Sequence, residues 1–255
     1  MKKCFLFLVS LFLAFSFIYG QNVDAKYKIL LGGASFASPT NGWFELGCEA
    51  LNAEPINKAI NGQSIAVTAN EMAEGKFYTL DDLEDIDAFI IMHVHDKDVA
   101  DESRLKNSYQ DYVLPFDYFD YAQAYDYVIK KYLTDCYNLR YKEDSKYYNT
   151  PAGKPAIIVL CTSWHDAREI FNPAIRKLGE RWGFPVVEFD KYIGFSKNHL
   201  HPATGKQHSI LYAHNTELIN GEEFGWHPYE GQDQYIQQRM AAIFADTMRK
   251  VLPLK

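Results

Sequence analysis

The feature that most constrains the fold of this chain is a set of short apolar runs separated by segments of helical periodicity. Ile86–Met92 and Ala156–Cys161 are almost continuously apolar and have the length of strands, and Tyr27–Leu31 is a third run of this kind. Trp43–Leu51 and Tyr229–Leu252 carry apolar residues at helical spacing. Continuous apolar strands that alternate with helices are typical of a parallel sheet covered on both faces. The sequence therefore predicts a three-layer α/β/α sandwich with a mainly parallel sheet.

Weaker signals predict the remaining elements. Ser64–Val67 reads as a short extended piece, and Pro185–Phe189 as a further strand. Ala167–Trp182 has helical periodicity, with Pro173 expected at a break because proline removes a backbone donor.

Residues 97–150 do not follow this rhythm, because they are rich in Asp, Tyr and Lys and poor in aliphatic residues. Tyr118–Leu133 is a candidate helix, and Lys142–Gly153 reads as a loop. We interpret the region as an aromatic-rich insertion after the third strand. It would then lie near the carboxyl ends of the strands, where open α/β sheets bind ligands. A surface helix without a functional role is the alternative interpretation.

The amino terminus has the pattern of a secretory signal. Lys2 and Lys3 precede an apolar run from Phe5 to Ile18, and the small residue Gly20 follows. The run is shorter than the ~20 residues that a membrane-spanning helix needs, which argues against the alternative of a permanent anchor. We therefore expect a signal peptide at residues 1–20, a single domain at 21–255, and a secreted or periplasmic protein.

The composition limits the classes of molecule that this protein is expected to bind. Without Lys2 and Lys3 the chain has 24 Lys and Arg against 33 Asp and Glu, a formal charge of −9. An acidic chain without basic clusters argues against nucleic acid as a partner. No second stretch is apolar enough for stable membrane insertion, and no motif predicts a cofactor.

The three cysteines after the signal are an odd number, so at least one thiol is unpaired in an exported chain.

Two widely separated segments carry candidate catalytic residues. Gly32–Phe36 follows the first strand and precedes a helix. A serine in such a turn, here Ser35, lies above the edge of the sheet. The amino end of the following helix offers backbone N–H groups to a developing oxyanion there. His227 stands before Pro228 at the start of the last helix, where it is well placed to act as a general base. Such a base raises the nucleophilicity of a serine by accepting its hydrogen bond.

At these residues the sequence resembles the SGNH (GDSL-like) hydrolase superfamily. Gly33–Ser35 stands where the family usually has Gly-Asp-Ser, and Phe224–Pro228 stands where it has Asp-x-x-His-Pro. The resemblance implies a flavodoxin-like fold and a serine esterase that cleaves acyl esters, with Ser35 as nucleophile and His227 as base. The usual triad aspartate is replaced by Phe224, so Glu223, its neighbour Glu222, or a backbone carbonyl would have to orient the histidine.

The resemblance also implies an oxyanion hole. Asn61–Ser64 matches the family's second block and makes Gly62 a backbone donor beside that of Ser35. His93–Asp96 matches the third block, which usually reads Gly-x-Asn-Asp, so His95 replaces the asparagine donor. A neutral imidazole can donate one hydrogen bond, as an amide does.

Two other functions remain open. His93 and His95, two residues apart on a strand end, could bind a metal ion with Asp96 or Asp98, and His199 with His201 forms a second such pair. Alternatively, the missing triad acid and the tyrosine-rich region would suit a non-catalytic glycan-binding protein. The esterase interpretation implies a small-molecule or glycan ester as substrate, with an acetyl group and a carbohydrate favoured by export and by the aromatic region.

We predict that the exported protein begins at or near Gln21, because charge, apolar run and small residue occur in the order that signal peptidase requires. Amino-terminal sequencing of the exported protein checks this. Retention of residues 1–20 in the mature protein would show that the segment is an anchor.

Overall fold

The computed structural model describes residues 26–37 and 41–255, so the predicted signal at 1–20 lies outside the described residues. Its centre is a five-stranded sheet in the order β2-β1-β3-β4-β5, with every neighbouring pair parallel. The strands are β1 Tyr27–Gly33, β2 Ala53–Asn57, β3 Ala88–Met92, β4 Ile158–Cys161 and β5 Val186–Val187.

Helices cover both faces of this sheet. They are α1 Trp43–Ala50, α2 Ile65–Ala73, α3 Leu80–Asp85, α4 Tyr121–Asn138, α5 Phe171–Trp182, α6 Phe189–Ile193 and α7 Tyr235–Val251, with short 3-10 turns at Glu102–Arg104, Tyr109–Asp111, Leu139–Tyr141 and His208–Tyr212. One apolar cluster packs α2, α4 and α5 against one face, and a second packs α1, α6 and α7 against the other. All five residues of β3 are buried, which explains its continuous apolar sequence. The predicted three-layer fold with a parallel sheet is confirmed.

Several predicted elements differ in detail. Ser64–Val67 is not extended: Ser64 is the N-cap of α2, and its hydroxyl oxygen accepts a hydrogen bond from the Ala66 amide. Pro173 lies in the first turn of α5 and does not interrupt it, because the first turn requires no N–H partner there. The Pro185–Phe189 strand is reduced to two residues, since Phe189 already begins α6.

The tyrosine-rich region contributes a core element and not a surface helix. Its helix α4 lies in the connection between β3 and β4, and Tyr125 and Tyr132 are completely buried. The Tyr125 hydroxyl donates to the carbonyl of His93 at 2.7 Å. Tyrosine rings supply the apolar area that aliphatic residues usually provide. Because the region has few aliphatic residues, its sequence does not identify α4 as part of the buried core.

In the described part of the chain Cys48, Cys136 and Cys161 are buried free thiols, and burial raises the pKa of each above its usual value.

No helix among residues 26–37 and 41–255 is both long and apolar enough to cross a membrane.

The strand order fixes where a ligand site can form. β1 pairs with β2 on one side and with β3 on the other, so the connections that follow β1 and β3 lead away from a common crevice. Open α/β sheets bind ligands at such a switch point, outside the carboxyl ends of the strands. Ser35 lies two residues beyond the end of β1.

Candidate functional site

Ser35 occupies a tight turn that only a glycine before it permits. A Cβ on Gly33 would lie 2.8 Å from the Ala37 Cβ and 3.0 Å from the Met92 carbonyl oxygen, closer than packed atoms allow. The Ala37 amide donates to the Ala34 carbonyl at 2.9 Å and closes the turn. Ser35 is the second residue of this turn and is only half-buried. Its hydroxyl is therefore accessible at the crevice.

His227 reaches the same place from the other end of the chain. It follows an antiparallel hairpin formed by β6 Thr216–Ile219 and β7 Glu222–Gly225. The distance from its Nε2 to the Ser35 Oγ is 2.9 Å, although the two residues are 192 positions apart. The predicted contact between the two side chains is confirmed, whereas their catalytic roles stay a prediction.

The side chain that orients His227 is Asn215. Its Oδ1 accepts a hydrogen bond from the His227 backbone N–H at 3.1 Å and lies 3.1 Å from the His227 Nδ1. A backbone N–H can only donate, so the Asn215 atom that faces it is the oxygen. The same oxygen can accept only from a protonated Nδ1. Nε2 is then the unprotonated nitrogen, and it can accept the Ser35 hydroxyl proton.

The structure does not bring the predicted acid Glu223 to the His227 ring. Glu223 pairs with Leu218 in the hairpin, and its carboxylate accepts from the Thr216 hydroxyl at 2.6 Å instead of from His227. Asn215, 12 residues before the histidine, occupies the place beside the His227 Nδ1 where a triad acid would lie. No sequence motif points to Asn215, because it lies outside the Asp-x-x-His-Pro block and meets His227 only through the pairing of β6 with β7.

The environment keeps His227 neutral. Partial burial lowers its pKa below the ordinary 6.5, and the positive charge of Arg168 acts in the same direction, while Glu217 opposes the shift. A neutral imidazole near pH 7 is the form that can accept a proton.

A buried ion pair holds the hairpin against the body of the domain. Arg168, between β4 and α5, donates from one nitrogen to both carboxylate oxygens of Glu217 on β6, at 2.6 and 2.7 Å. It also donates to Asp96 and lies 5.7 Å from the centre of the Phe36 ring. Arg168 belongs to the loop after β4, and its guanidinium contacts the loops after β1 and β3 as well as the hairpin. It therefore fixes Asn215 and His227 relative to Ser35.

The predicted oxyanion donors lie on the two loops that flank Ser35. The Ile60 amide donates to the Gly33 carbonyl at 3.2 Å, which ties the loop of Gly62 to the end of β1. The Ala34 amide donates to the Met92 carbonyl at 3.3 Å, which ties the loop of His95 to the same strand. Gly62 has a positive φ of 74°, and among the described residues its amide has no acceptor.

His95 is neutral and has a spare ring nitrogen. Burial, with the charge of Arg168 as a second cause, lowers its pKa to about 4. Its Nε2 is buried without a partner in the described part of the chain. Its ring lies 4.3 Å from that of Tyr121. An oxyanion role for Gly62 and His95 stays a prediction.

The histidine pairs do not form a metal cluster. The His93 Nε2 lies 3.0 Å from the Thr68 hydroxyl, and burial lowers the pKa of His93 to about 3. Among residues 26–37 and 41–255 no group of three or more His, Cys, Asp or Glu side chains is arranged to hold a metal ion. His93 and His95, like His199 and His201, therefore have no third ligand there.

A family model described as a domain of unknown function (DUF5040) matches residues 26–252. The chain belongs to this family. No curated protein matches the sequence.

Solved structures of lipases and hydrolases resemble the whole domain. A possible lipase from Chitinophaga pinensis DSM 2588 matches with a TM-score of 0.56 at 15% identity, over 89% of this chain and 99% of that one. A candidate GDSL-like lipase from Parabacteroides merdae ATCC 43184 has a TM-score of 0.43 at 15% identity, over 89% and 98%. A candidate SGNH hydrolase from Slackia heliotrinireducens has a TM-score of 0.42 at 14% identity, over 87% and 98%. The likeness to the Chitinophaga pinensis structure agrees with the three-layer α/β/α fold of this chain, and at this identity it is a likeness of fold alone.

We predict that replacing Asn215 with aspartate raises the pKa of His227 by about one unit or more, because a carboxylate beside the ring stabilises the imidazolium. NMR titration of the His227 ring measures this, and the ring of the unsubstituted protein should titrate below pH 6.5 with its proton on Nδ1 when neutral. Asn220→Asp, which places the same charge at the exposed hairpin turn, should change the pKa much less. Equal shifts in the two variants would contradict the contact between Asn215 and His227.

Proposed function

We propose that this protein is an exported serine esterase that hydrolyses acyl esters, with Ser35 as nucleophile, His227 as general base and Asn215 as the group that orients it. One observation carries the proposal: the Ser35 Oγ, the His227 ring and the Asn215 Oδ1 form a continuous chain with distances of 2.9 and 3.1 Å. Nucleophile, base and orienting group within hydrogen-bond reach are the signature of nucleophilic catalysis.

The reaction follows from this geometry. The Ser35 Oγ attacks the ester carbonyl carbon while its proton passes to the His227 Nε2. The tetrahedral intermediate then collapses, the bond to the alcohol oxygen breaks, and the imidazolium returns the proton to that oxygen. Water then attacks the acyl carbon while its proton passes to the His227 Nε2. The bond from that carbon to the Ser35 Oγ breaks, the imidazolium returns the proton to Oγ, and the carboxylic acid is released.

Negative charge develops on the carbonyl oxygen in each tetrahedral intermediate. The Gly62 amide and the neutral His95 ring, with the Ser35 amide, are the donors that we assign to it. A preorganised hydrogen-bond donor stabilises this charge without any rearrangement of the site during the reaction. One such donor contributes about 10²–10³-fold to the rate. His95 can serve only with its proton on the nitrogen that faces the oxyanion.

An asparagine can replace the triad acid because its oxygen faces the ring. In a triad protease, changing the aspartate to asparagine lowers the rate about 10⁴-fold, because the histidine then adopts the wrong tautomer. Here the His227 backbone N–H fixes the orientation of the Asn215 amide, so the correct tautomer is retained. The amide supplies no negative charge, which leaves the imidazolium less stabilised than in a complete triad.

Export and substrate belong to the same proposal. The signal predicted at residues 1–20 supports a secreted or periplasmic location, where acylated glycans and small esters are accessible. We favour acetyl esters, and a non-catalytic glycan-binding protein on the same fold is the competing function.

We predict that Ser35→Ala lowers kcat/KM on p-nitrophenyl acetate and on acetylated polysaccharides by at least about 10³-fold, with a similar loss for His227→Ala, because the two residues act as one unit. Activity should also fall as the pH drops through the pKa of His227, below 6.5, since only the neutral ring accepts a proton.

Ser196→Ala, which removes a hydroxyl of similar burial from another loop, is the matched control and should keep full activity. Residual activity of Ser35→Ala equal to that of this control would reject the serine mechanism. Glycan binding without any ester hydrolysis would favour the non-catalytic function instead.

The oxyanion assignment has its own test. We predict that His95→Ala lowers kcat by about 10²–10³-fold, while His95→Asn, which restores an amide donor, keeps kcat within about threefold of the original or raises it. Steady-state kinetics on p-nitrophenyl acetate, at matched thermal stability, measure both. An unchanged rate in His95→Ala would remove His95 from the oxyanion hole.

A further inference from the structure

An open cleft of about 510 Å³ has Tyr121 in its lining, the residue whose ring packs 4.3 Å from that of the proposed oxyanion donor His95, and this cleft has no role in the reaction described above. Its volume is within the range of roughly 300–1,000 Å³ that is usual for small-ligand sites. Its lining residues are Lys97, Asp98, Asp101, Arg104, Phe119, Tyr121, Ala122 and Gln123.

The segment Tyr118–Tyr121 connects this cleft to both predicted oxyanion donors. The Tyr118 hydroxyl donates to the Gly62 carbonyl at 2.8 Å. At the other end of the segment, the Tyr121 ring packs 4.3 Å from the His95 ring. The loops of Gly62 and His95 flank Ser35, so the aromatic segment contacts both loops that flank the candidate nucleophile.

Phe119 stands between these two fixed tyrosines. Its side chain is 74% exposed, and its ring lies 6.2 Å from that of Tyr121 in an edge-on arrangement. Single exposed aromatic residues are common on protein surfaces. This one lines a cleft together with Tyr121, the neighbour of His95, which gives its exposure a use in ligand binding.

The chemistry of the lining selects among the classes of ester. Ala122 is its only aliphatic side chain, so the cleft does not suit a long acyl chain. Lys97 and Arg104 balance Asp98 and Asp101 in formal charge, so it does not select an acid or a cation. Aromatic faces together with many hydrogen-bonding groups suit a neutral molecule that has one apolar face and a rim of hydroxyls.

We propose that this cleft binds the alcohol part of the ester as a neutral sugar ring, stacked on Phe119 and in contact with Tyr121. The proposal rests on the esterase function for its orientation: the ester bond of the sugar would point toward Ser35. Polar side chains such as Asp98, Arg104 and Gln123 would bind the ring hydroxyls. Phe119 is then a specificity-determining residue, since it contacts the sugar and not the reacting atoms.

The test compares two esters on one set of variants. Phe119→Ala should lower kcat/KM on acetylated xylo-, manno- or cello-oligosaccharides by about tenfold, mainly through KM, because a stacking surface is lost. It should leave kcat/KM on p-nitrophenyl acetate within about twofold. Phe119→Tyr keeps the ring and should retain activity on the oligosaccharides. Tyr192→Ala, which removes an aromatic ring of comparable exposure from α6, should change neither substrate.

The outcomes separate this proposal from the esterase function. Equal effects of Phe119→Ala on both esters, or a preference of the unsubstituted protein for p-nitrophenyl decanoate over the acetylated oligosaccharides, would overturn the sugar site while leaving the serine mechanism in place. If the protein hydrolyses no ester, the sugar site is tested by calorimetric titration with the deacetylated oligosaccharides. Binding that Phe119→Ala weakens supports the sugar site, and no binding overturns it.

Discussion

The site depends on the burial of one parallel sheet on both faces. All five strands run in the same direction, so their carboxyl ends meet at one edge, and the loops that leave them share that edge. β1 lies between β2 and β3, where the strand order reverses and a crevice opens. Gly33 allows the chain to turn sharply there, and Ser35 follows. The loops of Gly62 and His95 flank it because β2 and β3 are the neighbours of β1.

A second constraint is that a distant segment must reach this crevice. The β6–β7 hairpin has only two strands, and an isolated hairpin of this size is marginally stable. The buried Arg168–Glu217 pair attaches it to the domain, with the Phe224 ring stacked 5.9 Å from that of His165. Removing one partner of such a pair costs about 3–5 kcal/mol, because the remaining charge stays buried. The hairpin therefore behaves as part of the domain and holds Asn215 beside His227.

The choice of an amide in place of a carboxylate has a consequence for the base. A carboxylate would both orient His227 and stabilise its charged form, whereas Asn215 only orients it. Burial then dominates and lowers the pKa of His227. In the proposed mechanism the neutral ring can accept a proton over a wider range of pH, but its imidazolium would gain less stabilisation from Asn215 than from a carboxylate.

The sequence by itself determined the fold class and the two ends of the candidate site. Continuous apolar strands have no solvent-exposed face, so they require a covered parallel sheet, and Ser35 and His227 stand in local contexts that identify them. Tertiary structure alone decided that Asn215 orients the histidine and that α4 is a core layer. Pairing of β6 with β7 joins residues without any sequence motif, and buried tyrosines conceal a core helix behind a polar composition. Such contacts arise from the packing of distant segments, which local sequence patterns do not encode.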